Sequence, residues 1–271
     1  MEKFKTNIEV SGITKKGTLR INNEDSLQIG PYYKKSSFSD TDQYVYVSDD
    51  TRYVVFSAID GMGGGPHGEI AGFYTAEELF LGYMKLTDDL TNDEVSAFMR
   101  SSYQSANNRI VRDPSGILGA AGVSCVIDRC QATAKFFWSG DVRGYLYRNH
   151  KLLQITQDQT VAALCLKKGY YTKTDSQYQS DRRKLTGYIG RDLYCYDFSP
   201  LETQWIPLGN DDRIFLLTDG IYEACKERNL QKAINAEDTT IECCRALINA
   251  AEQNESVDDL TAVGSTFYIA D

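Results

Sequence analysis

Histidine is nearly absent from this sequence: His67 and His150 are the only two in 271 residues. So few imidazoles exclude a histidine-rich zinc or iron centre, and any resident metal has to be held by oxygen. Proline is also scarce, with five scattered residues, and there is no internal repeat, low-complexity tract or Pro/Gly/Ser-rich linker. One domain spanning 1–271 is therefore expected. No apolar run approaches the roughly 20 residues that a membrane helix needs. The first ten residues are polar and charged and lack the apolar centre of a signal peptide. These absences lead us to expect a cytoplasmic monomer with no membrane partner. The seven cysteines include no C-x-x-C pair, and most sit in apolar runs, which reads as buried free thiols in a reducing compartment. A basic surplus is missing too: 29 Lys and Arg stand against 38 Asp and Glu, for a net charge of −9. That balance argues against a nucleic-acid partner.

What is present is a set of short, β-branched and aromatic runs separated by turn residues. Strands are expected at 44–47, 53–58, 120–127, 133–138, 144–148, 152–155, 214–217 and 260–269. Several are joined by very short connections, with Asn149-His150 placed as a hairpin turn, so the sheets should be antiparallel. Helical spacing of apolar residues predicts helices over 69–85, 93–112, 222–233 and 239–253. Thr91 and Glu94 form a capping-box signature for the second helix. Strands and helices in separate blocks indicate an α+β protein. The polar stretch 156–191 is longer than an ordinary connection and reads either as a functional flap or as a solvated charged loop.

Acidic residues recur at the ends of these strands beside small residues. Arg20-Ile-Asn-Asn-Glu24-Asp25 comes first, then Asp60-Gly61-Met62-Gly63-Gly64-Gly65 directly after an apolar strand. Gly140-Asp141 lies between two strands, Asp219-Gly220 follows another apolar strand, and Asp258-Asp259 precedes the last one. Singly, each reads as a common turn. Together they place several carboxylates at one shared edge, where each like-charged pair would repel by roughly 4 kcal/mol at 4 Å and an effective dielectric of 20. A divalent cation removes that conflict, and carboxylate plus carbonyl oxygens suit Mg²⁺ or Mn²⁺. Two such ions can lower the pKa of a shared water enough to make it a nucleophile. Gly61 leaves its carbonyl unscreened, Gly63–Gly65 permit a tight turn into the following helix, and Arg20 can grip an oxyanion through two donors.

In this order, the segments resemble the metal-dependent Ser/Thr phosphatases, protein phosphatase 2C or PPM type, in their bacterial form. The likeness runs from about Gly12 to Phe267 and includes Gly140-Asp141-Val142-Arg143-x-Tyr145-Leu146, Thr156-x-Asp158, Leu185-Thr186, Ile189-Gly190 and Asp258-Asp259-Leu260-Thr261. It implies a four-layer αββα sandwich, two antiparallel sheets flanked by helices. It further implies that Asp60 bridges two metal ions, Gly61 gives its carbonyl, and Asp219 and Asp258 bind the other metal. Glu24 and Asp25 hold metal-bound waters, Asp141 with Asp219 forms a third, weaker site, and Arg20 binds the phosphoryl group. The implied partners are phosphorylated proteins and the Ser/Thr kinase that modifies them.

The sequence departs from the family pattern at several places. Met62 stands where many eukaryotic members have His, so a metal-held water has to protonate the leaving oxygen. Gln159 replaces a His, Lys184 and Gly187 replace Asn and Arg, Asp259 replaces Asn, and Gly119-Ala-Ala-Gly122 lacks the usual threonines. None of these removes an implied metal ligand, but Asp259 competes with Asp258 as the ligand on sequence grounds. The alternative to an active phosphatase is a weakly active or inactive binding module of the same fold.

Overall fold

The structure, a computed structural model, describes residues 6–35, 39–48, 51–63, 67–114, 118–191 and 198–269. In chain order the elements begin β1 (Thr6–Lys15), β2 (Asp25–Ile29), β3 (Tyr32–Tyr33), β4 (Thr41–Ser48), β5 (Tyr53–Gly63), α1 (Gly68–Tyr83) and α2 (Asn92–Val111). They continue β6 (Leu118–Asp128), β7 (Thr133–Ser139), β8 (Arg143–Arg148), β9 (Lys151–Gln154), α3 (Val161–Lys168) and α4 (Ser176–Asp181). The last are β10 (Leu201–Glu202), β11 (Ile206–Pro207), β12 (Arg213–Leu217), α5 (Asp219–Tyr222), α6 (Glu227–Asn235), α7 (Thr240–Gln253) and β13 (Leu260–Ile269).

Two antiparallel sheets result. One runs β4-β1-β13-β12-β8-β9, the other β10-β7-β6-β5-β2-β3 with β11 beside β7. Each central strand is buried on both faces, which is why it reads as a continuous apolar run rather than an alternation. Along β5, Val54, Phe56 and Ala58 face the other sheet, where they meet Ile214 and Leu216 of β12. The odd-numbered Tyr53, Val55 and Ile59 point outward onto α1 and α2 with Leu79, Met99 and Tyr103. On the opposite face, Phe215 and Leu217 pack on α6 and α7 with Leu230, Cys244 and Leu247. Three apolar layers between four layers of secondary structure give the expected sandwich.

All eight expected strands form, and Thr91 with Glu94 makes the capping box at the start of α2. Asn149 and His150 both take positive φ (51° and 59°), the geometry of a tight hairpin. Several features differ from the sequence reading, among them β3, β10, β11 and the helices α3 and α4 within 156–191. β1 and β2 were not expected, because their apolar residues are interleaved with polar ones. Those polar residues are buried and paired instead, as Thr14 is with Asn23 and Thr261. The expected helix 222–233 is interrupted: α5 ends at Tyr222 and α6 starts at Glu227. Of the six cysteines described, four are buried, but Cys130 is exposed and Cys165 only partly covered. The expected turn at Gly64 and Gly65 lies outside the described residues. Among the described residues no helix is long and apolar enough to cross a membrane.

A buried polar chain ties α2 to the sheet. Tyr103 donates its hydroxyl to Phe137 O at 3.0 Å and meets Ser124 Oγ at 3.0 Å, and Ser124 in turn meets Ser57 Oγ at 2.8 Å. Removing one partner from such a chain leaves buried acceptors unsatisfied. Tyr103→Phe is expected to destabilise the protein by about 1–3 kcal/mol, measured as a lower urea midpoint with an unchanged m-value.

Candidate metal centre

The sheet topology brings the acidic segments to one edge of the sandwich. Asp25 opens β2 and pairs in register with Asp60 near the end of β5. On the facing sheet, Leu217 at the end of β12 lies between Arg143 at the start of β8 and Ala262 near the start of β13. Asp219, Asp141 and Asp258 therefore leave adjacent strands at the same end. Thr218 joins the two sheets across this edge: its hydroxyl donates to Asp25 Oδ2 at 2.8 Å and accepts from Thr261 N at 2.9 Å.

Burial and mutual repulsion both act on these carboxyls. Asp60 is held well above the usual carboxylate range by desolvation first, and then by Asp219, Asp25, Asp141 and Asp258. Asp219 is pushed up to about 8, again by burial first and then by Asp141 and Asp258. Asp141 rises to about 6 through burial and the nearby Asp158, and Glu24 to about 7 through burial, with Arg20 opposing the rise. Asp25, fully covered, is raised by burial and by Asp259. The sequence-predicted residues thus act on one another electrostatically, as a group spread over one protein surface would not.

Glycines make the approach possible. A Cβ on Gly61 would lie 2.1 Å from Gly68 O and 2.6 Å from Glu24 O, and one on Gly220 would lie 2.0 Å from Asp259 O. No side chain fits at either point, so the backbone packs directly.

Arg20 reaches into the same cleft. Its Nε donates to Asp258 Oδ1 at 2.7 Å and its Nη1 to Glu24 Oε2 at 3.2 Å. Asp258 and Asp259 are held differently. Asp259 is buried and accepts the backbone amides of Gly17 and Glu24, each at 2.8 Å. Its two oxygens hold the Arg20–Glu24 loop, whereas Asp258 meets the Arg20 guanidinium.

Several contributors were not legible in the sequence. Lys34, in a Lys-Lys pair that looks like surface, is 1% exposed and donates to Asn23 O at 2.8 Å and Asp25 O at 2.7 Å. It places a cation beneath the acidic loop, although burial lowers its own pKa. Glu69 is buried beside Glu24, and its Oε2 has no hydrogen-bond partner among the described residues. Arg143 grips Asp158 through both donors and stacks 3.7 Å over the Tyr222 ring, while Tyr222 donates to Asp141 O at 3.0 Å. That chain fixes the turn carrying Asp141. Gln159 and Gly187, two departures from the family pattern, fit one another: Gln159 Oε1 accepts from Gly140 N at 2.7 Å, and a Cβ on Gly187 would lie 2.6 Å from the Gln159 side chain.

The donor set is oxygen only, which suits a hard divalent cation. Among the described residues no group of three or more His, Cys, Asp or Glu side chains stands, as placed, so that it could hold a metal ion. The carboxylates share the cleft with Arg20 occupying Asp258.

This architecture is the fold of the PPM-type Ser/Thr phosphatases. The catalytic domain of the phosphatase PstP, crystallised with two manganese ions, superposes with a TM-score of 0.73 over 97% of this chain and 99% of that one, at 20% identity. The Streptococcus agalactiae (S. agalactiae) serine/threonine phosphatase superposes with a TM-score of 0.78 over the same shares, also at 20% identity. In sequence the chain is related to the Ser/Thr phosphatase stp of Listeria monocytogenes, with 25% identity over 225 residues, 81% of this chain and 86% of that protein. No family model matches the chain.

Two outcomes follow for the metal-free protein. Asp219 binds its proton more tightly when folded (about 8) than a free carboxyl does (3.8), so its contribution to stability is full below about pH 4 and is lost as pH rises through about 8. The thermal midpoint without metal is therefore expected to fall between pH 5 and 8, and Asp219→Asn to flatten that slope; a midpoint that rises over this window contradicts the assignment. Asp259→Ala strands the Gly17 and Glu24 amides, and chemical denaturation should show a loss of about 2–5 kcal/mol.

Proposed function

We propose that this protein is a metal-dependent protein Ser/Thr phosphatase acting on phosphoserine and phosphothreonine side chains. The observation that carries this reading is the convergence of Asp60, Asp141, Asp219 and Asp258 on one edge of the sandwich, where the last three all bear on the buried Asp60 carboxyl. A structure that keeps such groups together, at a cost to its own metal-free stability, has a use for a cation there. The fold shared with a two-manganese phosphatase supports the same conclusion.

In this reading Asp60, the Gly61 carbonyl, Asp219 and Asp258 would hold two Mg²⁺ or Mn²⁺ ions, and Asp141 with Asp219 would hold a third more weakly. When bound, the ions supply Lewis acidity that activates water and neutralises phosphoryl charge. The remaining work falls to the chain. The Arg20 guanidinium, which borders the cleft beside Asp258, would present its planar fork to two phosphoryl oxygens. Glu24 and Asp25 orient water on the near side of the cleft, with Asp25 locked by the Thr218 hydroxyl. Asp259 and Lys34 keep the Arg20–Asp25 loop from moving when charge enters. Met62 offers no imidazole acid, so the leaving oxygen takes its proton from solvent held in the site. The relevant partners are phosphorylated proteins and the kinases that modify them.

Purified protein with Mn²⁺ is expected to hydrolyse a phosphothreonine peptide, to stop on addition of EDTA, and to lose at least about a hundredfold in kcat on Asp219→Ala. Hydrolysis that persists through both treatments would falsify the mechanism. Metal binding without any turnover would favour the inactive binding module.

A further inference from the structure

A groove of about 940 Å³ opens directly beside the carboxylate cleft. Its inner wall is Arg143 and Tyr222, the same pair that fixes the Asp141 turn, and its outer wall is built from α3, the following loop and α4. Arg143 and Tyr222 therefore border the groove while Tyr222 also touches the Asp141 turn.

The charge in this groove is opposite to that of the chain. The protein carries a net −9, yet the groove is lined by Arg143, Lys167, Lys173 and Arg182 against only Asp158 and Glu223. Both carboxylates are already neutralised: Asp158 by Arg143, and Glu223 by Arg182 with help from Arg183. Lys167 and Lys173 are exposed and have no carboxylate partner among the described residues. Two uncompensated ammonium groups thus border the groove, and ammonium groups facing solvent attract and hold anions. The rest of the lining is mixed. Gln154, Gln157 and Thr186 offer hydrogen bonds, whereas Leu164, Leu166 and Leu201 offer apolar contact. A free inorganic ion would not use the apolar part, and a volume of this size takes several peptide side chains.

We propose that this groove is a second anion subsite for the substrate peptide, in which Lys167 and Lys173 bind a carboxylate or a second phosphate lying a few residues from the scissile phosphoryl group. The proposal rests on the phosphatase reading for its setting, but the groove itself is defined by its own residues. Its consequence is a preference for phosphorylated segments that carry further negative charge. A single phosphorylated side chain fills the carboxylate cleft alone, and a neighbouring anion gains the groove as well. Because both interactions belong to one ligand, the second is intramolecular and raises affinity without altering the chemical step.

The experiment uses the full chain and the Lys167→Ala/Lys173→Ala double variant, both lysines being exposed and remote from the buried core. Four substrates are compared with Mn²⁺ present: 4-nitrophenyl phosphate, a phosphothreonine peptide with neutral flanks, the same peptide with nearby glutamates, and the same peptide with a second phosphothreonine. The variant is expected to raise KM for the two multiply charged peptides by about tenfold, with kcat unchanged, and to leave the other two substrates as they were. If only the doubly phosphorylated peptide is affected, the ligand is a phosphate; if the glutamate peptide is affected equally, any anion serves. Equal losses on all four substrates, or no loss on any, overturn the subsite. Fluorescence anisotropy of the labelled peptides on the metal-free protein provides a readout independent of turnover. Weaker binding of the charged peptides to the variant there upholds the subsite even where 4-nitrophenyl phosphate is not hydrolysed, and unchanged binding overturns it.

Discussion

Like charge gathered in a poorly solvated cleft is the constraint around which this protein is organised. Asp60 and Asp25 are driven toward protonation by burial and by their neighbours. The core behind them is largely apolar. Relief comes from single polar groups set around the cleft. Arg20 covers Asp258 and Glu24, Lys34 lies under the loop, Thr218 donates to Asp25, and Asp259 is consumed by backbone amides. Each device fixes geometry as well as charge, since a donor that stabilises a carboxylate also sets where its oxygens point. A divalent cation would complete the balance that these residues begin.

The sandwich supplies the rigidity that this arrangement needs. A one-residue slip in register would move every side chain of a strand between the layer that faces the other sheet and the layer that faces the helices. The Asp25–Asp60 pairing and the Leu217–Ala262 pairing are therefore fixed by packing far from the cleft. Close backbone approach at Gly61 and Gly220 transmits that precision to the site, because neither position has room to relax. The segment that follows β9 is attached differently. Gln159 and Gly140 exchange hydrogen bonds, and Ile189 bridges to Ala120 at the start of β6. Its two ends are thus pinned to the sheets while α3 and α4 between them form a separate wall, which suits a surface that meets substrates of varied shape.

Much of this was legible in the residues alone. Strands such as 53–58 and 214–217 announce themselves because burial on two faces demands an unbroken apolar run. Asp60-Gly61 and Asp219-Gly220 stand at the ends of those runs, and the chain order of the acidic segments was enough to suggest a common edge. What the sequence could not show is partnership. Asp258 and Asp259 are chemically identical neighbours, and only the fold shows that Asp259 takes the Gly17 and Glu24 amides while Asp258 takes the Arg20 guanidinium.

Lys34 and Thr14 lie in stretches that look like surface, and they are buried because strands distant in sequence close over them. Gln159 and Gly187 read as two unrelated departures until the fold sets one against the other. Residue type and local spacing determined most of the strands, the oxygen-donor chemistry and the candidate acids, since these depend on periodicity and on what an oxygen donor can bind. Tertiary structure decided which carboxylates meet, which are already spoken for and which cations remain free, because those outcomes depend on distances across the sheets that no local pattern encodes.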